Sequence, residues 1–205
     1  MKRVNKMIIA ARVLSAIFNP FYLPTVALVV LFTFSYLSLL PLSYKMVVFG
    51  IVYIFTVILP QLLISLYRHH QQWTLIELGQ RERRMVPYVI SIISYFVCVY
   101  IMESMHIPHF MASILIVALM IQIFCSIINV WWKISTHTAA IGGLAGGISA
   151  FSVVFGFNPV FWLCVVIMVA GMLGTSRMIL RQHSLSQVVV GFLVGCVTGF
   201  AILFV

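Results

Sequence analysis

Long apolar runs, each ended by a short polar break, leave this chain of 205 residues few ways to fold. A segment that crosses a bilayer as a helix needs about 20 predominantly apolar residues, because its backbone polar groups must pair with each other out of reach of water. Seven such runs can be marked: Leu23–Leu40, Met46–Tyr67, Tyr88–Met102, Phe110–Trp131, Thr138–Phe155, Val160–Gly174, and Leu185 to the last residue. Pro41 and Ser43 separate the first two, Pro60 marks a kink in the second, and Asn158-Pro159 closes the fifth. Composition agrees: 63% hydrophobic and 7% charged residues is too little polar surface to cover a water-soluble globule. The expected fold is therefore all-α, a polytopic membrane bundle of six to seven transmembrane helices forming one integral membrane domain over residues 1–205. Residues 7–18 are too short to span and carry Arg12, so they are expected to form an amphipathic helix in the interface, ended by Asn19-Pro20. No small-residue cleavage site follows the basic start of the chain, and the first segment reads as retained. The four cysteines, Cys98, Cys125, Cys164 and Cys196, each sit inside an apolar run and read as small buried hydrophobes.

The net charge of +9 comes from 12 Lys and Arg against 3 Glu, with no Asp. When the connections are assigned alternately to two sides, the N-terminus and the breaks at 68–87, 132–137 and 175–184 share one face. That face holds every Lys and Arg except Lys45. The positive-inside rule would make it cytoplasmic, although charges kept for chemistry do not report orientation. The location expected is a bacterial inner (cell) membrane, with the side of the active face left open.

Three breaks on that face carry groups suited to phosphate. Ser176-Arg177-x5-His183-x3-Gln187 places Gln187 four residues after His183, one helical turn on, where its amide can hold one ring nitrogen and leave the other to react. Lys133-Ile134-Ser135-Thr136-His137 opens a span: Ser135 can cap the helix, and the helix terminus is a natural anion site with His137 beside it. Gln80-Arg81-Glu82-Arg83-Arg84 precedes Pro87 and offers fork-shaped donors matched to phosphate oxygens. Each run alone also fits a plain anchoring role at the interface. Together they bring two His and several cations from three separated segments to one membrane face, where ionisable groups are costly unless they serve a function. The glycines at 142, 143, 146, 147, 191 and 195 suit close helix packing in lipid. His69-His70 and His106/His109 read as interfacial, and Trp131-Trp132 as part of an aromatic belt.

The order of an Arg-rich segment ending in Pro, then Ser-x-His, then Ser-Arg-x5-His, resembles the type-2 phosphatidic acid phosphatase family, relatives of the vanadium haloperoxidases, over about residues 80–195. The resemblance implies that His183 is the nucleophile forming a phosphohistidine, and that Ser176 and Arg177 bind phosphate with it. It implies His137 as general acid and Ser135 as a phosphate binder. The second motif, usually Pro-Ser-Gly-His, reads Ile134-Ser135-Thr136-His137 here, so its Pro and Gly are not matched. The first motif usually ends in Arg-Pro. Pro87 follows Val86 here, and Arg84 and Arg81 carry over as phosphate ligands. The family's last position is an Asp that orients the nucleophile and balances its charge; in this chain it is Gln187.

The expected activity is that of a membrane phosphatase, a phosphoric monoester hydrolase acting on a phosphomonoester or pyrophosphate of a lipid. His183, His137 and Gln187 would form the catalytic group, with Arg81, Arg84, Lys133, Ser135, Thr136, Ser176 and Arg177 binding substrate. Neither a metal nor another cofactor is called for, because the cations carry the charge work. The partners expected are a lipid phosphate and membrane lipid, with no nucleic acid. A neutral Gln187 leaves a slow enzyme, recruitment of Glu82 or Glu77, or a non-enzymatic lipid-phosphate binder or transporter of the same fold as alternatives. The lipid itself stays open among phosphatidate, phosphatidylglycerophosphate, an isoprenyl (pyro)phosphate and a lipid A phosphate, as does the oligomeric state.

Overall fold

A computed structural model describes residues 2–34, 36–73 and 82–204, and among them the secondary structure is helical with no strand. Among the described residues eight helices run in order: α1 (Lys2–Ile17), α2 (Leu23–Phe34), α3 (Leu42–His70), α4 (Met85–Ser104), α5 (His109–Trp131), α6 (Thr136–Phe155), α7 (Val160–Ile179) and α8 (Leu185–Phe204). The six from α3 to α8 are long and apolar enough to cross a membrane. Large apolar side chains such as Phe96, Phe161 and Val197 point outward, more than 60% exposed, as a lipid-facing surface requires. The chain is an integral membrane protein of helical-bundle type.

Among the described residues six long apolar helices stand where seven runs were marked. The run Leu23–Leu40 breaks into the 12-residue α2 and a 3-10 turn, Tyr36–Leu39. Twelve residues of α-helix reach about 18 Å, short of the roughly 30 Å hydrocarbon core. An alternation that counted this run as a crossing therefore no longer places the N-terminal charges. Other boundaries shift outward: the second span starts at Leu42 rather than Met46, and α7 continues five residues past Gly174 to Ile179.

The chain divides into two compact units, residues 21–123 and residues 1–20 with 124–205, the boundary falling within α5 at Phe124. In the first, Leu28 and Phe32 of α2, Val48 and Val52 of α3, Cys98 and Met102 of α4 and Met111 and Leu115 of α5 form one apolar core. Residues Ile54–Ile58 of α3 are wound as a π-helix just ahead of Pro60. The proline has no N–H to give the Thr56 carbonyl and its ring crowds that group, so the wider turn relieves the clash without ending the helix. The Thr56 hydroxyl lies 3.3 Å from that of Thr25, a polar contact inside an apolar core.

In the second unit α6 and α8 run parallel, pressed together along small residues. A methyl group added at Gly195 would run into the Ala139 carbonyl oxygen, at Gly146 into that of Cys196, at Gly142 into that of Phe192 and at Gly199 into that of Gly143. Backbones approach this closely only where neither helix has a side chain in the way, the small-xxx-small packing known from lipid. The same unit holds α7 beside α6 and α1 against α7. Ala11 and Ser15 are the buried face of α1, whereas Met7, Ile9, Val13 and Ile17 point outward. Cys98 and Cys125 are buried, but Cys164 is exposed because it lies on the outward face of α7.

Gly195→Ala is expected to destabilise the protein by about 1–3 kcal/mol, the usual cost of overpacking. Gly50→Ala, where nothing lies within 4 Å of the added methyl, should be neutral or slightly stabilising. Thermal unfolding in detergent compares the two.

Candidate functional site

Three helix ends meet in the unit built from residues 1–20 and 124–205. The Ser135 amide, just before α6, donates to the Gln187 carbonyl in the first turn of α8 at 3.4 Å. A Cβ on Gly191 would stand 2.7 Å from both the Ser135 carbonyl oxygen and Thr138 Oγ1. Near the C-terminal end of α7, a Cβ on Gly174 would stand 2.7 Å from Val188 of α8 and 3.9 Å from Thr138 of α6. The N-termini of α6 and α8 thus sit side by side, and their dipoles place two positive ends at one locus.

The x5 spacing between Arg177 and His183 has a simple structural origin. The Gln182 amide donates to the Arg177 carbonyl at 3.1 Å and the Arg181 amide to that of Met178 at 2.9 Å. This pair of bonds is a Schellman motif, with Arg181 in the left-handed position (φ 52°) that glycine usually takes. The turn folds the chain back past the end of α7. His183 then follows directly, and Ser184 caps α8.

Ser184 and Gln187 form a capping box. The Ser184 amide donates to Gln187 Oε1 at 3.2 Å, and the Gln187 amide reaches back to Ser184 Oγ at 3.5 Å. His183 Nδ1 lies 3.2 Å from the same Gln187 Oε1. An amide N–H only donates, so the atom it meets is the carboxamide oxygen, and an oxygen can only accept from the ring. Nδ1 therefore carries a proton, and in the neutral imidazole the lone pair sits on Nε2. Nε2 is out of contact with solvent, and His183 as a whole is buried.

Ser135 caps α6, its Oγ accepting from the Thr138 amide at 3.4 Å, and it is fully buried. Thr136 and His137 are the first residues of α6 and are half-buried. His137 Nδ1 is shielded from solvent. Lys133 stands half-buried in the turn before them.

Arg177 was expected in a polar break but belongs to the last turn of α7, where it is 6% exposed. A guanidinium is tolerated there because it has polar company: Nη1 donates to Ser15 Oγ of α1 at 2.6 Å. Ser176 is buried too, and its hydroxyl donates to the Met172 carbonyl of its own helix at 2.8 Å.

Of the remaining expected ligands, Arg84 lies in the unit of residues 21–123, closing the 3-10 turn Glu82–Arg84 ahead of α4. Its neighbour Arg83 stacks over the Trp73 ring at 4.5 Å, a cation–π contact at the end of α3. Arg81, like Gln80 and Glu77, lies outside the described residues. Among the described residues no three His, Cys, Asp or Glu side chains gather as a metal site.

Sequence reasoning missed two features of this site. The capping box was readable as Ser-x-x-Gln before an apolar run. Ser15 was not readable, because no local pattern links it to a residue 162 positions away. Comparisons with protein-family models, curated proteins and solved structures return no match.

Gln187→Leu removes the acceptor of both the Ser184 amide and the His183 ring and is expected to cost about 1–2 kcal/mol. Ser184→Ala should cost about 1 kcal/mol. Arg181→Gly, which relieves the left-handed backbone, should raise the melting temperature. Thermal unfolding of the three variants in detergent checks the signs.

Proposed function

We propose that the protein is a membrane phosphatase that hydrolyses the phosphomonoester or pyrophosphate of a lipid through a phosphohistidine, with a bacterial inner membrane as its setting. The observation that carries this reading is the hydrogen bond that holds His183 Nδ1–H on Gln187 Oε1. It supplies an oriented imidazole with a lone pair on Nε2, at the N-terminus of α8, which lies beside that of α6, in the turn that follows the buried Arg177. In the proposed reaction Nε2 attacks phosphorus and the bond to the lipid oxygen breaks. His137 gives that oxygen its proton and then takes one from the water that cleaves the phosphorus–nitrogen bond, releasing phosphate and restoring His183. Arg177, with Lys133, Ser135, Ser176 and Thr136, would hold the phosphoryl oxygens. A lipid substrate suits a polar site at the end of membrane-spanning helices, where a headgroup lies.

One observation favours a second reading, a lipid-phosphate binder without turnover. Gln187 is neutral: it orients the ring but does not balance the imidazolium that forms as the lipid oxygen leaves, and it doubles as a helix cap.

His183→Asn in purified protein separates the two. Loss of phosphate release from short-chain phosphatidate, by about a thousandfold or more, with unfolding unchanged supports the enzyme. Release that survives the substitution overturns the assignment of the nucleophile. Micromolar vanadate should inhibit the wild type. Gln187→Glu puts a carboxylate against Nδ1 and is expected to raise kcat severalfold, because a negative partner stabilises the imidazolium; an unchanged or lower kcat would count against the role given to this position.

A further inference from the structure

The contact between Arg177 and Ser15 joins the candidate site to a helix that no motif connects with it. Both side chains are buried, Arg177 at 6% and Ser15 at 7% exposure, and the 2.6 Å separation is that of a strong, charge-assisted hydrogen bond. Ser15 sits one turn after Ala11, and these two small residues are the face that α1 turns inward. An arginine has long rotamer freedom, and its value to an anion depends on the fork being held in one orientation before the anion arrives. A serine hydroxyl is neutral, so it fixes the guanidinium without offsetting its charge. A carboxylate in the same place would fix it and cancel it.

We propose that Ser15 is a positioning residue for Arg177, and that α1 is thereby part of the phosphate-binding apparatus rather than only a membrane anchor. The proposal rests on the phosphate-binding role given to Arg177 above. Ser15 touches no substrate; it acts by holding the Nη1 side of the fork so that the rest faces the phosphoryl oxygens.

The test uses full-length protein in detergent with two readouts: hydrolysis of short-chain phosphatidate, and the rise in melting temperature on adding orthovanadate, which needs no turnover. Ser15→Ala is expected to weaken vanadate inhibition and to raise KM, each by about tenfold, the loss of one hydrogen bond to a charged group, with a smaller effect on kcat. Ser15→Thr, which keeps the hydroxyl, should restore most of both. In an Arg177→Gln background Ser15→Ala should add nothing further, since the two act as a unit. Val13→Ala, on the outward face of α1, should leave both readouts unchanged.

Ser15→Ala behaving as wild type in both readouts overturns the proposal while leaving the phosphatase reading intact. So does an equal loss in the presence and absence of Arg177, which would mark a purely structural role. If the wild type hydrolyses nothing but its vanadate-induced stabilisation disappears in Ser15→Ala and not in Val13→Ala, the phosphatase reading falls and the positioning role stands. A wild type that neither hydrolyses phosphatidate nor gains stability from vanadate overturns both. Should Ser15→Ala not fold, the contrast between Ser15→Thr and Ser15→Cys, a weak acceptor of similar size, decides in its place.

Discussion

The backbone-to-backbone approach of α6 and α8 is the constraint around which the candidate site is built. Two helices touching along Ala139, Gly142, Gly143 and Gly146 on one side and Gly191, Gly195 and Gly199 on the other have no freedom to slide by a side chain's width. Parallel and in fixed register, they set the Ser135 cap beside the first turn of α8, close enough for a main-chain hydrogen bond between them. In lipid there is no hydrophobic force to drive helices together, so such packing must come from close van der Waals contact, which only small residues permit. The juxtaposition of two helix N-termini follows from it.

The short link from α7 to α8 then delivers His183. A Schellman turn and a capping box follow each other with only His183 between Gln182 and Ser184. The helix ends are satisfied by groups of the candidate site: Gln187 accepts from a backbone amide and from the imidazole at once. This double duty gives a physical account of how a carboxamide is accommodated at that position. It satisfies the cap and selects one tautomer, at the expense of the charge balance a carboxylate would bring.

Much of the fold was legible because membrane helices are written in single-residue hydropathy. The six long helices correspond to six of the marked runs, with ends displaced by a few residues. The misreadings have physical causes. Leu23–Leu40 carries no charged residue, and nothing in its hydropathy announces the 3-10 turn at Tyr36–Leu39 that shortens the helix. Ser176 and Arg177 looked like a polar break because hydropathy counts a charged residue against a span, whereas here the helix continues and a hydroxyl from another helix meets the guanidinium. At the site, Ser135 as a cap and the contact between His183 and Gln187 were readable, since both are local spacings of three or four residues. The link to Ser15 was not, because it depends on which face of α1 packs against α7, and that face is small rather than apolar.

The most direct measurement of the central claim is to trap the protein during reaction with a radiolabelled lipid phosphate, quench it in alkali and map the label by mass spectrometry. An acid-labile, alkali-stable phosphoryl group on the His183 peptide, absent from His183→Asn, is the predicted result. Turnover with no label on His183, or a label on another residue that persists in His183→Asn, would contradict it.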